Sequence, residues 1–274
     1  LFSARGARFF FCLLSVVCGL LSVIHLAMRF VGVIPARYNS TRIPGKPLIE
    51  IAGRPLIQWV YDRASQASSL AEVLVATEDE RVLRTVEGFG GRALMTRSDH
   101  LSGLDRVAEV AEAIQGDVFV NIQGDEPLIA VDTIEKVCSP FEGNARVQVT
   151  TARVEITDPE EIKNPNVVKV VTNEQGRALY FSRAPIPYLR NQPGSIYKHL
   201  GIYGYRREFL GMLPKLRPSK LEEMEALEQL RLLENGIPIQ VVEVAQDSIG
   251  VDILEDLDRV RPLLENELKE SKRG

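Results

Sequence analysis

Residues 31–48 read VGVIPARYNSTRIPGKPL, a short apolar run that stops at a proline and opens into a loop with three cations. The run Val31–Ile34 predicts a buried strand, and Pro55–Gln66, with Ile57, Val60, Tyr61 and Ala64 at helical spacing, predicts the helix that follows it. The same cycle then recurs. Strands are expected at Val73–Ala76, Ala93–Thr96 and Val118–Ile122, and helices at Asp79–Gly88 and Asp105–Ile114. Strands alternating with amphipathic segments are the pattern of an α/β protein: a mixed, mostly parallel sheet flanked by helices, with ligand chemistry at the carboxyl ends of its strands. From Arg146 to Tyr180 the grain changes to alternating strands (VQVTTARV, VVKVV, ALYFS), which predicts a smaller β-rich, antiparallel insertion or edge. A strand over His199–Tyr205, a long helix over Leu221–Glu234, a strand over Ile239–Val244 and a helix over Glu255–Leu268 close the chain.

Composition narrows the partners. The 274 residues are 45% hydrophobic and 26% charged, a globular balance rather than a disordered one. With 33 Lys and Arg against 37 Asp and Glu the formal charge is -4, which argues against a broad nucleic-acid surface. Any anion must be met locally. The cysteines Cys12, Cys18 and Cys138 are too few and too scattered for a disulfide framework or a zinc site, so a reducing compartment fits.

Composition shifts only at the amino end. Phe9–Ala27 carries no Asp, Glu, Lys or Arg and follows Arg5 and Arg8, so by length it could span a bilayer. Three readings are open: sequence upstream of the true start, a membrane anchor, or a core helix. Met28 stands just before the first strand run at Val31–Ile34, and the expectation is that residues 1–27 are an apolar leader outside the mature fold, which is one domain over residues 28–274. A membrane becomes a partner only if residues 9–27 are retained.

The loop Pro35–Pro47 places Arg37, Arg42 and Lys46 among small hydroxyl residues, with Gly45 held between Pro44 and Lys46-Pro47. Guanidinium forks and backbone N–H groups can converge there on phosphate oxygens, although the loop is neither a Walker A loop nor a dinucleotide fingerprint. A second feature is Gln123-Gly124-Asp125-Glu126-Pro127, where an apolar strand stops at two carboxylates. Such a carboxylate facing a cationic loop suits Mg²⁺, which takes one or two carboxylates and fills its octahedron with water and phosphate. A further acid, Asp252, stands in Gly250-Val251-Asp252. The bland alternatives are solvated loop charges and an ordinary acidic turn.

Taken in order, VIPARYNSTRIPGKPL, NIQGDEPLI, NPNVVKVV, YFSRAPIP, HLGIYGYR, LEQLRLLENG and GVDILEDL resemble the 3-deoxy-manno-octulosonate cytidylyltransferases, over most of the chain. The first motif alone is shared by several sugar-nucleotide transferases; QGDEP with YFSR and HLGIYGY narrows the resemblance to this family. What it implies is a nucleotide-diphospho-sugar transferase type of fold and CMP transfer from CTP to the eight-carbon sugar acid Kdo, with release of pyrophosphate and with Mg²⁺ as cofactor. It further implies a cytoplasmic homodimer that supplies activated sugar for lipopolysaccharide synthesis.

Residue by residue, the resemblance gives Arg37 and Lys46 the triphosphate, with Ser40 and Arg42 nearby; Lys46 resembles the group that stabilises the leaving pyrophosphate. Asp125 and Asp252 would hold the metal. Cytosine selection would fall to the segment Thr96–Arg106, through Arg97, Ser102 and Gly103. Arg183 resembles the reader of the sugar carboxylate, and Gln123, His199, Tyr203, Glu228 and Gln229 resemble its hydroxyl contacts. The chain departs from the family pattern at Leu104, where a threonine is usual, and at Ile253-Leu254, where Thr-Pro is common. Competing readings are a nucleotidyltransferase for another acidic sugar, and an inactive membrane-tethered binding protein of the same fold.

Overall fold

Strand β1 (Phe30–Pro35) lies inside the sheet with neighbours on both sides. In this computed structural model, which describes residues 28–39, 43–100, 102–191 and 193–271, Phe30 and Ile34 face one hydrophobic core while Val31 and Val33 face another. Burial on both faces is what an uninterrupted apolar run requires of a parallel strand. The leader 1–27 with Cys12 and Cys18, and Ser40 and Arg42 of the loop, lie outside the described residues.

After β1 the chain makes a small hairpin, β2 (Glu50–Ile51) with β3 (Arg54–Pro55), and then helix α1 (Leu56–Ala64), whose Leu56, Ile57, Trp59, Val60 and Ala64 form its buried stripe. Strand β4 (Leu70–Thr77), helix α2 (Glu80–Gly88), strand β5 (Ala93–Met95), helix α3 (Gly103–Ala113) and strand β6 (Val118–Asn121) follow in strict alternation. Ser102 and Asp105 start α3 with a reciprocal capping box: the Asp105 N–H donates to the Ser102 hydroxyl at 3.2 Å and the Ser102 N–H to the Asp105 carboxylate at 3.0 Å. Helix α4 (Val131–Cys138) then leads to strand β7 (Val149–Glu155), the hairpin β8 (Lys169–Thr172) and β9 (Ala178–Ser182), and the long strand β10 (Tyr197–Arg206). Short helical segments, Pro159–Lys163 and Arg207–Leu210, flank β8–β10, and helices α5 (Lys220–Glu225) and α6 (Gln229–Glu234), strand β11 (Ile239–Glu243) and helix α7 (Leu254–Ser271) follow.

The main sheet runs β11-β7-β10-β6-β1-β4-β5, with β8 and β9 branching from β10. Neighbours β5, β4, β1 and β6 are parallel, β10 runs antiparallel to both β6 and β7, and β11 is parallel to β7. The fold class is the expected mixed, mostly parallel sheet with a small β-rich excursion. From β1 the chain moves outward through β4 and β5, then returns to place β6 on the other side of β1. The carboxyl ends of β1 and β6 therefore flank a topological switch point, the place where open α/β sheets bind ligands.

Two expectations need correction. The stretch Arg146–Tyr180 does not leave the sheet as a unit: β7 sits inside it between β10 and β11, and only β8 and β9 form the excursion. Its Thr150 and Thr151 mimic an exposed alternation but are fully buried, Thr150 donating to the Val137 carbonyl at 2.8 Å and Thr151 to that of Ile202 at 2.8 Å. Nor is Leu221–Glu234 one helix. It breaks at Ala226, whose φ of 51° and ψ of 50° are left-handed, and the Leu227 N–H returns to the Glu222 carbonyl at 3.2 Å. Helix α4 and the hairpin β2–β3 were not foreseen.

Candidate active site

Two loops meet where the switch point predicts. The turn after β6 comes so close to β1 that a Cβ on Gly124 would stand 2.7 Å from the Pro35 carbonyl oxygen, so only glycine lets the two strand ends touch. On the β1 side Gly45, at φ 71°, turns the loop back, its N–H donating to the Tyr38 carbonyl at 2.9 Å, and sets Lys46 at the start of a single helical turn. Between them opens a cavity of about 380 Å³ lined by Arg37, Asn39, Lys46, Gln123, Asp125 and Asp252, with Pro35, Ala36, Pro47 and Gly124 as its backbone walls.

Lys46 is the hub of this cavity. Its Nζ donates to Asp125 Oδ2 at 2.6 Å and to the Val251 carbonyl at 2.8 Å, and lies 3.9 Å from Asp252 Oδ1. Asp252 is brought here from the far end of the chain because the Val251 N–H donates to the Asp125 carbonyl at 2.8 Å, while the Val251 side chain is buried with Ile43, Leu56 and Trp59. The two acids expected to share a metal therefore converge on one ammonium beside the cavity. Among the described residues no group of three or more His, Cys, Asp or Glu side chains could hold a metal. A pair of carboxylates at a cavity wall could supply two of the six ligands of Mg²⁺, which keeps waters and phosphate oxygens in its remaining positions.

The loop following β5 is tied to the same cavity. Arg37 Nη2 donates to the His100 carbonyl at 2.7 Å, and buried His100 pairs through Nε2 with Glu109. Fully buried Arg106 joins the two loops a second time, pairing with Glu78 at 2.9 Å, while the Tyr38 N–H donates to the other Glu78 oxygen at 3.2 Å. Arg97 is exposed, 3.8 Å from both Asp99 and Glu109. The Ser102 hydroxyl accepts at the α3 cap, and Gly103 opens the helix at a second cavity.

This second cavity, of about 210 Å³, gathers Gln123, Tyr203, Glu228 and Gln229, together with Gly103, Leu104, Asn121, Tyr205 and Leu232. Gln123 lines both cavities and is fixed by donating Nε2 to the Gly201 carbonyl at 2.8 Å. The break at Ala226 matters here, because it turns Glu228 and Gln229 into the cavity rather than along a solvated helix face. Burial pushes the Glu228 carboxyl above its usual range despite a hydrogen bond from Ser102, and pushes the Tyr203 and Tyr205 phenols well above theirs. Leu104, at 3% exposure, gives an apolar wall where the family pattern has a hydroxyl. Asn121 was missed by the sequence reading. Among the described residues its buried Oδ1 has no hydrogen-bond partner, and the polar residue ending the apolar run VFVN was its signal.

Arg183 and His199 line a third, larger cavity of about 640 Å³, which also reaches Asp252. His199 Nε2 lies 2.9 Å from the Thr151 hydroxyl, and burial lowers the imidazole pKa to about 3, so the ring is neutral at working pH. The Arg183 fork is already engaged: Nε donates to the Glu225 carbonyl at 2.7 Å, Nη1 to that of Pro165 at 2.9 Å and Nη2 to that of Ala226 at 3.4 Å.

A switch-point cavity with Lys46 between two carboxylates does not by itself fix the reaction, and comparison with known proteins narrows it. The family model "Cytidylyltransferase" matches residues 31–244. A 3-deoxy-manno-octulosonate cytidylyltransferase of Geobacter metallireducens is 47% identical over 245 residues, covering 85% of this chain and 96% of the relative. The chain belongs to this cytidylyltransferase family. A second such enzyme, from Solibacter usitatus, is 50% identical over 86% of this chain and 94% of its own length. The crystal structure of CMP:2-keto-3-deoxy-manno-octonic acid synthetase complexed with CTP superposes with a TM-score of 0.84 at 47% identity, covering 87% of this chain and 99% of that one. A glucose-1-phosphate thymidylyltransferase structure from Bacillus anthracis, with a TM-score of 0.61 at 16% identity, shares the fold alone. Cytidylyltransferase chemistry is thus the chain's activity. Among the described residues no helix is long and apolar enough to cross a membrane.

Proposed function

We propose that the chain transfers CMP from CTP to 3-deoxy-manno-octulosonate, giving CMP-Kdo and pyrophosphate. The observation that carries this reading is the convergence of Lys46, Asp125 and Asp252 at the switch-point cavity, which shares Gln123 with a second, polar pocket. The anomeric hydroxyl oxygen of the sugar forms a bond to the α-phosphorus of CTP. The bond from that phosphorus to the bridging oxygen breaks, pyrophosphate leaves with its electron pair, and the hydroxyl proton passes to solvent. No covalent enzyme intermediate is needed, so catalysis is positioning and charge neutralisation.

In this reading Arg37 and Lys46 hold the phosphates, with Ser40 and Arg42 in the same loop. Asp125 and Asp252 hold Mg²⁺, which would draw charge from the phosphates when bound. Arg97, Ser102 and Gly103 select the base, as the family resemblance implies, Gly103 from the wall it gives the second cavity, and unpaired buried groups would penalise the wrong base. Gln123, Tyr203, Glu228 and Gln229 meet sugar hydroxyls in the second cavity, with Asn121 beside them. His199 stays neutral and acts as a hydrogen-bonding wall. For Arg183 to read the carboxylate it exchanges its bonds to Pro165 and Ala226 for the ligand. The proposal takes the working enzyme to be a cytoplasmic homodimer serving lipopolysaccharide synthesis, as the family resemblance implies. Incubation with CTP labelled at the α-phosphorus, Kdo and Mg²⁺ tests it: label is expected in a product that chromatographs as CMP-Kdo, and label remaining in CTP would contradict it.

A further inference from the structure

Asp252 projects from the loop between β11 and α7 with its side chain 64% exposed and its Oδ1 3.9 Å from Lys46 Nζ. The peptide groups around it are tethered as well. The Val251 N–H and carbonyl are held by the Asp125 carbonyl and by Lys46. The next N–H, that of Asp252 itself, donates to Asp256 Oδ2 at 2.8 Å, and the same oxygen accepts from the Ile253 N–H at 3.0 Å. The Asp256 side chain is only 17% exposed and its Oδ1 stands 3.9 Å from Arg259, so this carboxylate has a fixed place of its own.

The local sequence makes this dependence sharper. Helix α7 begins at Leu254, so Ile253 precedes its first residue, and an isoleucine there offers no side-chain acceptor for the free N–H groups of the first turn. In a full capping box the residue at the cap and the one three later satisfy each other; here only the returning half, from Asp256, is present. It reaches one residue further back than the cap, to the amide of Asp252.

We propose that Asp256 is a positioning residue: by gripping the Asp252 and Ile253 amides it fixes the direction in which Asp252 presents its carboxylate to the cation shared with Asp125. This rests on the reading of Asp125 and Asp252 as the cation pair. A helix cap and a positioning residue make different demands. A serine at position 253 would cap the N–H groups of the first turn, but its hydroxyl cannot replace the grip on the Asp252 amide. An asparagine at position 256 keeps an oxygen at the same reach.

The test is binding of Mn²⁺ to the protein with CTP and without sugar, read by electron paramagnetic resonance, alongside thermal denaturation. The expectation is that Asp256→Ala weakens Mn²⁺ about tenfold and lowers Tm, Asp256→Asn keeps most of the affinity, and Ile253→Ser combined with Asp256→Ala restores Tm but not affinity. The reference variant Asp252→Asn weakens Mn²⁺ at least as much. If Asp256→Ala loses Tm alone, or if Ile253→Ser restores affinity together with Tm, Asp256 is only a cap and the proposal is wrong. If Asp252→Asn leaves Mn²⁺ affinity unchanged, the cation reading itself fails and the proposal falls with it.

Discussion

At the scale of single residues, the proposed chemistry turns on Lys46 and the two acids that face it. Asp125→Asn and Asp252→Asn are each expected to lower turnover by several orders of magnitude while far-ultraviolet circular dichroism and Tm stay near those of the parent, because neither side chain is part of a hydrophobic core. Near-normal turnover of either variant at saturating Mg²⁺ would remove that acid from the site. Lys46→Ala should lower kcat by about 10²–10³ by taking away charge from the leaving pyrophosphate. Arg183→Ala should instead raise the apparent KM for Kdo, and lower stability by about 0.5–1.5 kcal/mol because it removes hydrogen bonds to the carbonyls of Pro165, Glu225 and Ala226, most of which water can replace. A raised KM for CTP with Kdo unaffected would show the sugar pocket to be misplaced. His199 gives a pH signature. Its pKa falls from 6.5 unfolded to about 3 folded, so below pH 6.5 the unfolded chain binds a proton that the native one refuses. Stability should drop as pH falls through that window, by up to about 1.4 kcal/mol per pH unit from this group. Denaturant titrations at pH 7, 6 and 5 should show a shallower slope for His199→Gln, and equal slopes would mean that the imidazole is not buried neutral.

At the scale of elements, what could be read in advance was what the local pattern alone determines. Strand β1 and strand β6 announced themselves because a strand buried on both faces has no polar position to confuse its period, and the loops that carry Lys46 and Asp125 are simply where those runs end. Strand β7 misled because Thr150 and Thr151 satisfy their hydroxyls on buried carbonyls, a pairing invisible without the neighbouring strands. The α5–α6 break was hidden for a different reason: LEEMEALEQLRLLE is made of strong helix formers, and no glycine or proline marks Ala226. Asp125 and Asp252 stood out as two acids in comparable settings and were paired by the resemblance, but how they converge could not be read, since it depends on Val251 pairing with the loop after β6. An alanine in left-handed backbone carries strain that a glycine does not. Ala226→Gly is therefore expected to stabilise the protein by about 0.5–1 kcal/mol without loss of activity, measured by urea denaturation. Destabilisation would mean that the segment straightens into one helix, which would turn Glu228 and Gln229 out of their cavity.

At the scale of the whole molecule, the sheet sets the order of the chemistry. The switch point between β1 and β6 places the phosphate cavity, β10 and the α5–α6 break place the polar pocket beside it, and Gln123 is common to both. Removing divalent metal with a chelator should abolish turnover, and Mg²⁺ should restore it, while the fold persists, because the described contacts of Asp125 and Asp252 close through Lys46 without a metal. The central claim is that these neighbouring cavities take one nucleotide and one sugar acid. The most direct measurement is pyrophosphate release with each of CTP, UTP, ATP and GTP, crossed with Kdo and sialic acid in Mg²⁺. Release with CTP and Kdo that exceeds every other pair by at least about a hundredfold is the predicted result; equal or faster release with another nucleotide or with sialic acid would contradict it.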